Sequence, residues 1–487
     1  MDAARQAPRT LFSRAALVFV LLGTIVMLWP MALHQGHPFT MPDTFVYLDQ
    51  GDRIWAFAGD MLAGLWGSDP AGVAPSTDTA GGASLHAAAA DAGSVRSLPY
   101  AIFAGVLSRF GPAALAITQT AMVMTVLWAV VGEAFLRLSK PLQAVVAVLA
   151  ATLTTLPFMA SFAMPDILGA VLVLYALLLV RGIERFDRAS QAVLTLLALA
   201  AMAAHYGNIP FGAVLLILAI ILRALLGGHI RRVAIGAAAA CFLAIGGNIA
   251  LGFMAFDETS VTPRRFPIML ARSLEDGPAR WYLQENCATE SYAVCDYWQG
   301  DFPDHVGKAL WGPRGMENAP PELHARIRAE ETEILLATCR AYPLAQIASL
   351  TENAAYQFRR IGLDYTIVEL PVLNSDGRRV GAPYAHDPLR PAIPLLTNTQ
   401  ALVYLASLVA LIALLVAGPR GRGQKAAIIL VLSALVVNAA IFGGLSAPND
   451  RYQARIAWVA VLLAVIWGAE ALSTRTARGA KGLQPAE

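Results

Sequence analysis

Arginine-rich turns repeatedly interrupt long apolar runs in this chain, and that alternation limits its possible folds more than any other feature. The runs are Ala15 to Leu33, Pro112 to Leu136, Leu142 to Pro157, Ile167 to Val180, Ala189 to Ala204, Ile209 to Leu222, Val233 to Phe253, Ala401 to Ala417, Ala426 to Phe442 and Ala457 to Leu472. About 20 apolar residues suffice to cross the hydrocarbon of a bilayer as a helix. The expected fold class is an all-α polytopic membrane protein with about ten transmembrane helices. With 57% hydrophobic and 14% charged residues, lipid must be the solvent for much of the chain. A net charge of +2 gives no reason to expect nucleic acid as a partner.

Where the charges fall sets the expected orientation. With the N-terminus inside, the inner connections carry Arg137 and Lys140, then Arg181, Arg185 and Arg188, then Arg223, Arg231 and Arg232, then Arg420, Arg422 and Lys425, and finally Arg475, Arg478 and Lys481. This agrees with the positive-inside rule and puts both termini in the cytoplasm, as in a bacterial inner (plasma) membrane protein. The first run follows Arg5, Arg9 and Arg14, as in a signal peptide, but it is long enough to span and no small-x-small cleavage site follows. A retained helix is expected.

The polar mass then falls outside, in segments 34–111 and 257–394. The expected organisation is an N-terminal transmembrane module (1–256) containing the first outer loop, an extracytoplasmic cap (257–394) and a C-terminal transmembrane module (395–487). In the first loop, Tyr47, Ile54, Phe57, Met61 and Leu65 have helical spacing, whereas 72–93 is rich in Ala, Gly and Ser and reads as a loop. In the cap, Pro320 and Pro321 precede an amphipathic run from Glu322 to Arg340, and a further helix is expected from Leu344 to Arg360. Modest apolar content suggests a cap resting on the membrane rather than a separately folding domain. Cys287 and Cys295 are a disulfide candidate in an oxidising location, while Cys241 and Cys339 read as packing residues.

This threading collects polar residues at one rim. Asp43, Asp49 and Asp52 follow the first run, Asp166 opens the fourth, His205 and Asn208 join the fifth and sixth, and Asp450, Arg451, Tyr452 and Arg455 precede the tenth. Charged groups at membrane depth are functional candidates by default. Simpler roles compete with that reading. Asp43 and Asp166 each sit beside a proline at a helix start, where capping alone accounts for a carboxylate. Arg451 and Arg455 are one turn apart, as headgroup anchors would be. His205 also reads as an interfacial residue. Asp49 and Asp52 fall opposite the apolar stripe and belong to a solvated face.

The arrangement resembles the GT-C superfamily of membrane glycosyltransferases. The residues that carry the resemblance are Pro42-Asp43 with Tyr47, Arg96-Ser97-Leu98-Pro99-Tyr100, Met164-Pro165-Asp166 and Arg451-Tyr452. It covers mainly residues 10–255, and no Asp-x-Asp or Trp-Trp-Asp sequence accompanies it. The resemblance implies transfer of a sugar from a polyprenyl-phosphate carrier to a glycan, lipid or protein acceptor. Asp43 would be the general base and Asp166 would orient the acceptor or a basic partner. Tyr47, Arg96, Tyr100, His205, Asn208, Arg451, Tyr452 and Arg455 would line the substrates. No cofactor is assigned, and a divalent metal is left open.

Two other readings remain. One is a polysaccharide polymerase or ligase, for which Arg264, Arg265, Arg359, Arg360, Arg378 and Arg379 in the large loop speak. The other is a transporter or flippase for a lipid-linked glycan, whose signature would be charges near mid-span.

Overall fold

The computed structural model describes residues 9–65, 96–134, 149, 152–363, 372–373, 379–380, 389–416 and 421–481. These residues are overwhelmingly helical. Strand pairing among them is confined to a two-residue antiparallel ladder, Val372–Leu373 with Arg379–Val380, and isolated bridges.

The chain is an integral membrane protein by the length and composition of its helices. Among the described residues, five are long and apolar enough to cross a bilayer: Ala114–Val131, Asn208–Leu225, Arg231–Phe256, Arg390–Val416 and Arg422–Gly444. Several show a continuous apolar face to the outside, such as Leu402, Leu405, Val409 and Ile412.

The expected count of about ten is not met among the described residues. The run at 15–33 breaks at Leu28, ahead of Pro30, into Arg14–Met27 and Trp29–Leu33. The runs at 167–180 and 189–204 form helices of only 14 and 16 residues, Leu168–Arg181 and Arg188–Ala203. The run at 142–157 lies largely outside the described residues. The last run belongs to a 32-residue helix, Asp450–Lys481, which starts with charged side chains.

Leu168–Arg181 is the centre of the bundle. Every residue from Leu168 to Val180 is buried, and Gly182 ends the helix in the left-handed conformation at φ 113°. Ala114–Ala134, Arg188–Ala203, Asn208–Leu225, Arg422–Ala439 and Asp450–Lys481 pack around it.

Two backbone bridges fix the bundle's ends. At one end Arg9 pairs with the turn at Arg185 to Asp187, where basic residues gather. At the other, Phe39 N donates to Ser161 O at 2.8 Å and Ala163 N donates to Phe39 O at 2.9 Å, so the segment leading to Asp43 is tied to the one leading to Asp166.

The segment after the first run opens as the helix Pro42–Leu65, which covers the residues expected to have helical spacing, Tyr47 to Leu65. It crosses Leu98–Ser108 at a glycine pair, where a Cβ on Gly51 would lie 2.2 Å from Ala101 O and 2.9 Å from Gly105 Cα. Only glycines allow this approach, and it sets Asp43 beside Arg96. The stretch 72–93 lies outside the described residues.

The cap contains the expected long helices, as Pro321–Ala341 and Pro343–Arg359. Its first part also closes a hydrophobic core of its own around Leu270, Leu283, Trp298, Leu310, Ile327 and Ile334, more than the sequence suggested for a segment of modest apolar content. Cys287 and Cys295 form a disulfide within it.

Candidate functional site

Four rim residues meet where these elements end. Asp43 stands in the first turn of Pro42–Leu65, and Arg96 precedes Leu98–Ser108, whose N-cap Ser97 accepts from Tyr100 N and donates to Ala203 O at 2.5 Å. Asp166 occupies the 3-10 turn Pro165–Ile167. Arg451 is the second residue of the last helix.

Arg96 Nη2 lies 2.6 Å from Asp43 Oδ1. Arg451 bridges both acids, with Nη2 3.5 Å from Asp43 Oδ2 and Nη1 3.4 Å from Asp166 Oδ2. It also reaches Tyr452 Oη at 3.0 Å, lies 4.7 Å from that ring's centroid, and meets Met41 Sδ at 3.0 Å.

Exposure separates the two acids. The Asp43 side chain is 23% exposed and Asp166 is 0% exposed, so Asp43 is the carboxylate a solute can reach. Burial alone would raise the Asp43 carboxyl, but Arg96 and Arg451 hold it below the ordinary aspartate range. It is an anion at rest.

Such pairing could serve only to lock helix ends. Unfilled hydrogen-bonding atoms separate the two roles: buried Asp166 Oδ1, Arg96 Nε and Arg451 Nε have no partner among the described residues. Buried polar atoms are normally satisfied, so donors and an acceptor left over around one point suit a polar ligand.

The other candidates form walls and a second layer. Tyr47 and Tyr100 are buried and pack edge to face with centroids 4.7 Å apart, so they shape the floor rather than present a surface. Arg455 lies one turn below Arg451 at 0% exposure. Its Nε and Nη2 donate to Asn438 Oδ1 at 3.1 and 2.7 Å, its Nη1 donates to Asn208 Oδ1 at 3.0 Å, and its guanidinium lies 3.7 Å from the Phe442 centroid. His205 Nδ1 accepts from Gly207 N at 3.1 Å, and its ring packs near Phe442 and Tyr452. Burial, with Arg455 and Arg451 nearby, lowers its pKa to about 3, so the ring is neutral at physiological pH. Asp49 and Asp52 are exposed and apart from the cluster, and Asp49 pairs with Arg53 at 3.1 Å.

Sequence reasoning missed several contributors. Met41 and Phe442 carry no signal that marks them. Asn438 does, being a polar residue inside an apolar run. Asp450, which the sequence places at the rim, is a fastening point. It accepts from Gly362 N at 2.8 Å and pairs with Arg360, which fastens the end of the cap next to Arg451. Of the other loop arginines, Arg378 lies outside the described residues, and only the backbone of Arg379 is described.

Among the described residues, no three His, Cys, Asp or Glu side chains are grouped so as to hold a metal ion. Comparison with protein-family models, with curated proteins and with solved structures returns no match.

Proposed function

We propose that the chain is a membrane glycosyltransferase that moves a sugar from a polyprenyl-phosphate carrier to a glycan, lipid or protein acceptor. Transfer takes place on the extracytoplasmic face with inversion at the anomeric carbon. Both termini lie in the cytoplasm, and the membrane is the bacterial inner membrane. The observation that carries the reading is the convergence of one reachable carboxylate, Asp43, with Arg96 and Arg451 at the rim opposite the arginine-rich turns. The disulfide between Cys287 and Cys295 supports an oxidising compartment for the cap.

The chemistry follows from the charges. An acceptor hydroxyl is a weak nucleophile, and Asp43 takes its proton as the oxygen bonds to the anomeric carbon. The bond from that carbon to the lipid phosphate breaks, and the phosphate leaves with the electron pair. Arg96 and Arg451 are placed to stabilise that charge. At rest both arginines pair with Asp43 and weaken it as a base. A donor phosphate within their reach draws them away, which raises the basicity of Asp43 when a substrate is present.

The test is transfer from labelled polyprenyl-phosphate sugars by membranes containing wild type or Asp43→Asn. A loss of about a hundredfold or more is expected from the variant. Equal transfer by both proteins removes Asp43 as the base, and no transfer from any donor favours the transporter.

A further inference from the structure

One cap helix is built inside out. Pro343–Arg359 turns its amide side chains inward, with Gln346 and Gln357 buried and Asn353 half-buried. Each has a partner. Ser273 Oγ donates to Gln346 Oε1, Asn353 Nδ2 donates to Asp276 Oδ2, and Gln357 Nε2 donates to Asn449 O, all at 2.9 Å. The opposite face carries Leu344, Ile347, Ala348, Thr351 and Ala355, which helical periodicity groups on one side. All five are exposed, Leu344 at 81% and Ile347 at 60%. A helix between a protein and water turns its apolar face inward and its polar face outward. Here the order is reversed, which suits a helix that meets protein through polar groups on one side and lipid on the other.

Where the helix lies indicates what covers the exposed face. Its backbone rests on the last residues of the span Arg422–Gly444: a Cβ on Gly443 would lie 2.8 Å from Asn353 O, and one on Gly444 3.2 Å from Leu350 O. Near its end, the Phe358 ring lies 6.2 Å from that of Tyr404, which stands midway along the span Arg390–Val416. The helix therefore runs beside the membrane-crossing helices, and Leu445, the residue after Gly444, is exposed as well. Aromatic side chains border the face. Trp281 and Tyr342 pack edge to face at 5.6 Å beside its start, and Tyr356 is exposed near its end, where Arg359 is exposed in the last turn. Tryptophan, tyrosine and arginine at such borders sit at the level of lipid headgroups.

We infer that this face of Pro343–Arg359 is a lipid-binding surface. It lies in the leaflet on the cap's side of the membrane, with phospholipid acyl chains against Leu344 and Ile347 and headgroups at Tyr356 and Arg359. Continuity with the apolar faces of the spans selects lipid over a second copy of the chain. The contact depends neither on the transferase reading nor on which side of the membrane the cap occupies. Because the inner face of the same helix bonds Asn449, two residues before Arg451, the leaflet and the charged cluster meet opposite faces of one element.

Fluorescence quenching of the full chain in phosphatidylcholine nanodiscs tests the assignment. Cys241→Ala and Cys339→Ser remove the free thiols, while Cys287 and Cys295 stay paired. Bimane is then attached at Leu344→Cys or Ile347→Cys, whose side chains are exposed enough to be replaced without disturbing the fold. Val409→Cys, on the exposed face of a span, is the lipid reference, and Glu317→Cys, an exposed acidic position in the cap, is the water reference. Doxyl-labelled phosphatidylcholine should remove emission at both test positions as it does at Val409, and iodide should remove it only at Glu317. Iodide quenching at either test position to the extent seen at Glu317 overturns the proposal. Protection from both quenchers also overturns it, because protein would then cover the face.

Discussion

Gln357 and Asn449 bond each other in both directions, Gln357 Nε2 donating to Asn449 O at 2.9 Å and Asn449 N donating to Gln357 Oε1 at 2.8 Å. Gln357 sits on a cap helix at 0% exposure, and Asn449 stands two residues before Arg451. Gln357→Ala leaves Asn449 N without its partner and Asn449 O with only Tyr452 N, so it should destabilise the protein by about 1–3 kcal/mol. Melting in detergent checks this, and unchanged melting would mean that the pair contributes nothing.

The crossing of Gly51 and Gly105 predicts opposite effects of one substitution at two sites in one helix. Gly51→Ala forces a methyl against Ala101 O and should destabilise by about 1–3 kcal/mol. Gly59→Ala meets nothing within 4 Å and should stabilise by roughly 0.5–1 kcal/mol. Melting temperatures that move the same way would contradict the close contact.

His205 makes stability depend on pH. Its folded pKa of about 3 lies below the ordinary 6.5, so between these values the unfolded chain binds a proton that the folded chain does not. Stability should therefore fall as pH drops through about 6.5 towards 3, and less steeply in His205→Gln. Asp43, held below its usual 3.8, adds slope of the same sign only below about pH 5. Parallel wild-type and variant slopes between pH 7.5 and pH 5 would show that His205 is protonated in the fold.

Cysteine labelling reports the side on which the cap lies. Cys339 is free and exposed, whereas Cys241 is half-buried in the Arg231–Phe256 helix. In intact cells a membrane-impermeant maleimide should label Cys339 without reduction. Cys287 and Cys295 should label only after reduction. Labelling of Cys339 only after lysis would place the cap in the cytosol. That result would remove the orientation on which the transferase reading stands.

The charge pattern and the helix-start prolines made the cluster legible. Asp43, Arg96, Asp166 and Arg451 all sit at helix starts, so a rule that fixes which helix ends share a face brings them together without tertiary information. The layer below was not legible in the same way. Phe442 reaches Arg455 because residues Ala440–Gly444 form a wider π turn, which periodicity cannot foresee. The span count erred because hydropathy measures burial, and burial by protein looks the same as burial by lipid. The stretch from Leu168 to Val180 is apolar because other helices surround it.

A fully enclosed pillar need not match the thickness of the bilayer. Leu168–Arg181 answers only to its protein neighbours, while peripheral helices such as Ile393–Val416 present leucine and valine faces that must adapt to lipid. A thinner or thicker membrane would therefore tilt the periphery first. Asp166, at the pillar's head, would keep its height.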